Sequence, residues 1–245
     1  ACSVSVKLIP LMFLPLFFWW FQKESKENVI ANKVKQSFKK KEIATLRLPS
    51  VQAIQVPRNG ISKLILFYAI IVLTLVLFFL PFFSIEFIDN YSKTVGLWFN
   101  NFEFNASIYY VLRAIGYAIT GYNEIGIIGK IMPLISILAI LGFSFFKKNN
   151  SIPKLSTSIL LVFTIYLFLS TTVHPWYIAT LVMFCIFTNY RYPLVWSLVI
   201  IVSYLSYLGI GTADKSENLW LVALEYYVVF SAFFWEVILK KRLPF

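Results

Sequence analysis

Long apolar runs alternate with short polar segments along the whole chain. Most runs are close to the length of about 20 residues that carries a helix across about 30 Å of hydrocarbon. The apolar segments are 2–21, 64–83, 131–146, 155–173, 176–188, 193–210 and 219–239. This pattern predicts an all-α, multi-pass transmembrane fold of about seven helices, in which residues 1–245 form a single integral-membrane domain.

Composition favours the same class of protein. Hydrophobic residues make up 59% of the 245 residues and charged residues 13%, with a mean hydropathy of +0.76. Soluble domains are about 45–50% apolar and about 25% charged, so a soluble globular protein is excluded. A net charge of +11 would suggest nucleic acid in a soluble protein, but here the basic residues lie between apolar runs. They are interpreted as topology signals, and no nucleic-acid partner is predicted.

Lys and Arg cluster in alternate connections. Most of the 22 basic residues lie in segment 22–63, in the connections after residues 146 and 188, or in the C-terminal tail. The positive-inside rule therefore predicts a cytoplasmic basic loop at 22–63, a cytoplasmic C-terminus and an extracytoplasmic loop at 84–130. The chain starts at Ala1 without an initiator Met, and this topology places Ala1 outside. We therefore expect the chain to be the C-terminal part of a larger transmembrane domain.

The outer loop contains a segment with helical periodicity. Two faces recur at helical spacing: an apolar face with Ile108, Leu112, Ile115 and Ile119, and a polar-aromatic face with Tyr110, Arg113, Tyr117 and Thr120. They predict an amphipathic helix in the membrane interface, with Asn105 as its N-cap and Gly121 as its stop. The helix is either an anchor or one wall of a groove for a lipid-linked substrate, with Arg113 as a phosphate partner.

A second candidate lies where two apolar runs meet on the outer side, at residues 171–177. Pro175 suits the first turn of a helix. His174, with Trp176 and Tyr177 beside it, is open to two interpretations. In the first, the three residues form an interfacial aromatic belt. In the second, His174 binds a phosphate or a sugar hydroxyl while an aromatic ring packs against the sugar.

Two acidic residues lie within the apolar segments, Glu225 and Glu236. Glu236 lies one helical turn before Lys240, which predicts a surface ion pair. Glu225 lies deeper, and is either a functional residue or a structural partner of Arg113. A single histidine and two cysteines give no recognisable metal-ligand set, so no cofactor is assigned and the use of a divalent ion stays open.

Two short elements resemble the membrane glycosyltransferases of the GT-C superfamily. The first, FEFNASIYY at 102–110 followed by Arg113, is similar to the long outer loop of those enzymes. The second is VHPWY at 173–177, followed by 191–197, and the opening segment 4–11 also resembles one of their internal helices. The most similar subgroup is the polyprenol-phosphate-mannose-dependent mannosyltransferases.

The resemblance implies an outer-face groove in which a hexose, with mannose as the leading candidate, passes from a polyprenyl-phosphate donor to a lipid-linked or cell-envelope acceptor. It implies a bacterial cytoplasmic membrane as the location, with membrane lipid, the polyprenyl-linked sugar and the glycan or glycolipid acceptor as partners. The family's catalytic carboxylate lies in an outer loop that would precede Ala1, so the catalytic residue is unknown. The substrate-binding candidates are Glu103, Asn105, Arg113, His174, Trp176 and Tyr177.

Two other functions stay open. A transporter or flippase would show ionisable groups near mid-membrane and broken helices in paired positions, and the sequence offers Glu225 and little else. A non-catalytic membrane subunit is compatible with the same hydrophobic pattern.

Overall fold

The computed structural model describes residues 9–23, 60–100, 102–208 and 217–243. The start of the first apolar segment, most of the basic loop 22–63 and most of the connection before residue 219 lie outside the described residues. Within these ranges the chain is built of helices, with one isolated β-bridge. The predicted all-α class is confirmed.

The described helices are numbered here in chain order, after a 3-10 segment at Ile9–Phe17. The first four are α1 (Gly60–Phe79, continued by a 3-10 turn at Leu80–Phe82), α2 (Ile85–Asn100), α3 (Ile108–Thr120) and α4 (Ile125–Phe146). The next four are α5 (Ile152–Leu169), α6 (Pro175–Cys185), α7 (Tyr192–Val199, continued by a 3-10 segment at Ile200–Leu208) and α8 (Leu219–Phe233, continued by a π turn at Phe234–Ile238).

In the described ranges, four helical segments are long and apolar enough to cross a membrane: Gly60–Phe82, Ile125–Phe146, Ile152–Leu169 and Leu219–Ile238. The chain is therefore a multi-pass membrane protein. The apolar helices α3, α6 and Tyr192–Leu205 are shorter. The α4 span begins at Ile125 and not at residue 131, so Lys130 lies within a helix long enough to span, and the segment predicted to form the extracytoplasmic loop 84–130 ends earlier.

Helix α5 is the most buried of the four spans, with 61% of its apolar window inside the protein. It contacts the 3-10 segment, α4 and α6. Between α5, α7 and α8, the ring of Phe168 stacks on Trp196 at 5.2 Å between ring centroids and lies 4.5 Å from Phe230. Trp196 has no exposed surface. This aromatic contact fixes α8, which carries Glu225 and continues into the π turn with Glu236, against the centre of the bundle.

The two ends of helix α5 lie at opposite ends of the bundle. At one end, which we call the acidic end, Ser107 Oγ at the start of α3 donates to the Phe168 carbonyl at 2.9 Å. At the opposite end, Ser158 Oγ in α5 donates to Asn149 Oδ1 in the α4–α5 turn at 2.7 Å. The candidate site residues that the sequence predicts to be extracytoplasmic lie at the acidic end.

Helix α3 ends where the sequence predicts but starts later. Gly121 has a left-handed φ of +81°, and its N–H donates to the Tyr117 carbonyl at 3.1 Å, as a helix stop requires. The N-cap position is occupied by Ser107. The prediction of Asn105 as N-cap is wrong, because the Asn105 side chain is hydrogen-bonded to α8 instead.

Glu236 is buried inside the bundle. Its Oε2 accepts hydrogen bonds of 2.7 Å from the backbone N–H groups of Arg191 and Tyr192, at the start of α7. These N–H groups have no partner within their own helix, and a carboxylate complements the positive end of the helix dipole. The predicted surface pair with Lys240 is wrong, because the carboxylate is 5% exposed and serves as a cap for a neighbouring helix.

Candidate functional site

The two elements that resemble GT-C enzymes lie side by side at the acidic end. The Phe104 N–H donates to the Thr171 carbonyl at 3.0 Å, and the Val173 N–H donates to the Phe104 carbonyl at 2.8 Å. Thr172 Oγ1 donates to the Phe102 carbonyl at 3.2 Å. The two main-chain bonds form the isolated parallel bridge between Phe104 and Thr172. What the sequence presents as two candidates is therefore one contiguous structure.

His174 lies within a stack of aromatic rings. Its ring is 4.2 Å from that of Trp176, with 12° between the planes, and 5.1 Å from that of Phe104, with 30° between the planes. Tyr177 meets His174 edge-on at 5.5 Å. His174 is 6% exposed, whereas Trp176 is 48% exposed. The sequence-predicted trio is brought together, with Trp176 presenting the most surface and His174 behind it.

Asn105 connects this stack to α8. Its Nδ2 donates to Glu225 Oε1 at 3.0 Å, and its backbone N–H donates to both oxygens of Glu217, at 2.8 and 2.9 Å. Its carbonyl accepts a hydrogen bond of 2.7 Å from the Tyr226 hydroxyl. The φ angle of Asn105 is +45°, a left-handed conformation that Asn adopts more readily than most residues. Asn105 has no exposed surface. Through the hydrogen bonds above, it positions the carboxylates of Glu217 and Glu225.

Glu217 and Tyr110 form a second link between α3 and the start of α8. The Tyr110 hydroxyl donates to the Glu217 carboxylate. Burial raises the pKa of Glu217, and the hydrogen bonds from Tyr110 and Asn105 act in the opposite direction. Burial, followed by the charge of Glu217, also raises the pKa of Tyr110. The phenol therefore stays protonated at neutral pH and acts as a donor.

Arg113 is paired with Glu103, at 2.5 Å between Nη1 and Oε1. Its guanidinium carbon lies 4.4 Å from the centre of the Tyr110 ring. The alternative of an Arg113–Glu225 pair is wrong, because Glu225 is bound by Asn105. A guanidinium has five N–H donors, so an Arg113 already bound to Glu103 keeps donors for a phosphate, and that role stays a prediction.

Glu225 is 2% exposed and lies in a spanning helix. Its Oε2 is buried without a hydrogen bond. The indole N–H of Trp196 is also buried without a hydrogen bond, and it lies close to the same carboxylate without making a well-formed bond to it. A buried polar atom without a partner costs about 1–3 kcal/mol. The sequence predicts that Glu225 lies deeper in the span than Glu236, and in the structure both acids are buried.

A small, open recess lies between the 3-10 end of α7 and the start of α8. The described residues that line it are Val202, Ser203, Leu205, Glu217, Asn218, Leu221, Val222 and Glu225. The sequence did not single out Glu217, because this residue contributed only to the charge count of the connection before residue 219. The available signal was its position directly before Asn218, whose side chain accepts from the Trp220 N–H and caps a spanning helix.

In the part of the chain that the structure describes, no group of three or more His, Cys, Asp or Glu side chains is arranged to hold a metal ion. No family model, no curated protein and no solved structure matches the chain. The chemistry of the acidic end is therefore argued from its own residues.

Proposed function

We propose that the protein is a membrane glycosyltransferase that moves a hexose from a polyprenyl-phosphate donor to a lipid-linked or cell-envelope acceptor. Mannose is the first sugar to test. In this proposal the acidic end faces outward from a bacterial cytoplasmic membrane, and the basic loop 22–63 and the C-terminus lie in the cytoplasm.

The pairing of segment 102–105 with segment 171–174 carries the proposal. Each segment belongs to an element that resembles GT-C enzymes, and the two are distant in sequence. Main-chain hydrogen bonds and the stacking of His174 on Phe104 hold them together. Two unrelated chance matches would have no reason to meet at one end of the bundle.

The residues at this end suit the requirements of glycosyl transfer. Transfer to a hydroxyl requires a base, stabilisation of the departing phosphate and a surface that holds the sugar. Arg113 is the proposed phosphate contact, with Glu103 fixing its orientation. The half-exposed indole of Trp176 is the proposed sugar platform, with His174 and Tyr177 behind and beside it. The catalytic base stays unassigned.

The test is a transfer assay in membranes that contain the protein. Polyprenyl-phosphate mannose and polyprenyl-phosphate glucose, each labelled in the sugar, are supplied separately with a membrane lipid extract as acceptor. The expected result is label in a new lipid-linked or envelope product, with one donor preferred. Membranes without the protein are the control. Failure of transfer from both donors by protein that is correctly inserted would contradict the proposal.

A transporter is the second candidate, because a buried acid inside a spanning helix is typical of proton-coupled transport. Glu225 is the residue that favours it. Solute uptake into vesicles that depends on a proton gradient and is lost in Glu225→Gln would support transport. A protein with neither activity would fit a non-catalytic membrane subunit.

A further inference from the structure

The recess between α7 and α8 combines an acidic interior with apolar walls. Glu217 and Glu225 supply the acidic groups, and Val202, Leu205, Leu221 and Val222 supply the walls. Ser203 and Asn218 add neutral polar groups. The lining residues that the structure describes include no Lys, Arg or His. The recess therefore suits a ligand that is cationic at one point and apolar around it.

The two carboxylates are held by neutral donors. Asn105 and Tyr110 donate hydrogen bonds to them, and among the described residues neither acid forms an ion pair. Glu103 differs, because Arg113 neutralises it. Glu225 Oε2 is also buried without a hydrogen bond. A buried carboxylate oxygen without a hydrogen bond is costly, so an incoming cation that reaches Glu225 Oε2 gains binding energy.

The recess lies at the end of a membrane span. Asn218 caps α8, and Trp220, two residues further along, is 86% exposed. Tryptophan is enriched at the level of the lipid headgroups, which places the mouth of the recess there. Its ligand is accordingly expected to be an amphiphile.

We propose that this recess binds the primary ammonium group of an amphiphilic molecule, through Glu217 and Glu225. A primary ammonium carries three N–H donors, which match carboxylate, hydroxyl and amide oxygens, whereas a quaternary ammonium carries none. The group can come from the headgroup of an aminophospholipid or from an amino sugar on a lipid carrier. This site is independent of the proposed glycosyl transfer, which does not require it.

The experiment measures binding to the detergent-solubilised protein by native mass spectrometry and by the shift in its thermal unfolding midpoint. Short-chain phosphatidylethanolamine is compared with phosphatidylcholine of the same chains, and glucosamine is compared with glucose. Phosphatidylcholine is the matched control, because it keeps the phosphate and the positive charge but has no N–H donor. Binding of phosphatidylethanolamine about tenfold tighter than phosphatidylcholine is expected if the headgroup is the ligand.

Preference for glucosamine over glucose, with no discrimination between the two phospholipids, would identify the amino sugar as the source. Either preference should be lost in Glu225→Gln and in Glu217→Gln, and kept in Glu86→Gln, whose carboxylate is exposed on α2. The wild-type comparison needs no variant, so it holds even if a substitution fails to fold. Absence of both preferences in the wild type would overturn the proposal, as would their survival in both recess variants.

Discussion

Asn105 Nδ2 donates a hydrogen bond of 3.0 Å to Glu225 Oε1, although the two residues lie in distant parts of the chain. Both are buried, at 0% and 2% exposure. The residue before Asn105 stacks on His174, so this bond joins the aromatic stack to the acid of the spanning helix α8. The two halves of the candidate site are thereby held in a fixed relation by one side chain.

Substitution of Asn105 tests this connection. Asn105→Ala removes the bond to Glu225 and places at a φ of +45° a residue that adopts this angle less readily than Asn, so we expect a loss of about 2–4 kcal/mol in the free energy of unfolding. Asn105→Gly also loses the bond but tolerates the backbone angle, and should lose less. Thermal unfolding in detergent compares them. Wild-type stability in both variants would contradict the role given to Asn105.

The pH dependence of stability tests the environment of Glu217. Burial raises the pKa of this carboxyl above its ordinary value of 4.5. Folding therefore favours the protonated carboxyl. The stability gained in this way is fully present at a pH below the ordinary pKa, and it is lost as the pH rises through the raised pKa. We expect Glu217→Gln to reduce the fall in unfolding midpoint over this window. Glu86→Gln is the exposed control, and a Glu217→Gln curve parallel to the wild type would exclude this effect.

The sequence predicts well what depends on local pattern. Four of the seven predicted spans and the stop of α3 at Gly121 follow from hydrophobic runs and from the conformational freedom of glycine. Asn105 and Glu236 were assigned local roles, as a cap of the nearest helix and as a partner one turn away. Both residues instead contact helices distant in sequence. Such partners are set by packing, which a single sequence does not specify.

Glu236 tests the cap of α7. Glu236→Ala removes the acceptor for the Arg191 and Tyr192 N–H groups and should cost about 1–3 kcal/mol in stability. Glu236→Gln keeps one acceptor oxygen and should cost less. Lys240→Ala is the matched control for the surface pair predicted from sequence, and it should have little effect. A larger loss in Lys240→Ala than in Glu236→Ala would reverse this assignment.

Tyr192 tests a polar contact within the core. Its hydroxyl lies 2.5 Å from Thr164 Oγ1, and Tyr192 is fully buried. Tyr192→Phe leaves the Thr164 hydroxyl with its bond to the Leu160 carbonyl, so we expect a loss of only about 1 kcal/mol in the free energy of unfolding. Thermal unfolding measures it. A loss of several kcal/mol would mean that the ring position, and with it the start of α7, depends on this bond.

The role of Arg113 in transfer is tested against another cation of segment 84–130, Lys93. Arg113→Ala removes the proposed phosphate contact and should cut transfer tenfold or more, equivalent to about 1.4 kcal/mol of transition-state stabilisation. Lys93→Ala is the control, because Lys93 lies exposed on α2 and pairs with Asp89 one turn away. Equal loss in both variants would indicate a general effect of charge and not a contact with the donor phosphate.

His174 separates packing from chemistry. His174→Ala removes a ring that stacks between Trp176 and Phe104, so a loss of transfer in this variant alone has two explanations. His174→Phe keeps a ring of similar shape in the stack but removes both nitrogen atoms. If the imidazole contacts the donor or acceptor, His174→Phe should unfold near the wild-type temperature and still lose transfer about tenfold or more. Wild-type transfer by His174→Phe, at equal expression, would reduce His174 to a packing role and leave Trp176 as the sugar platform to test.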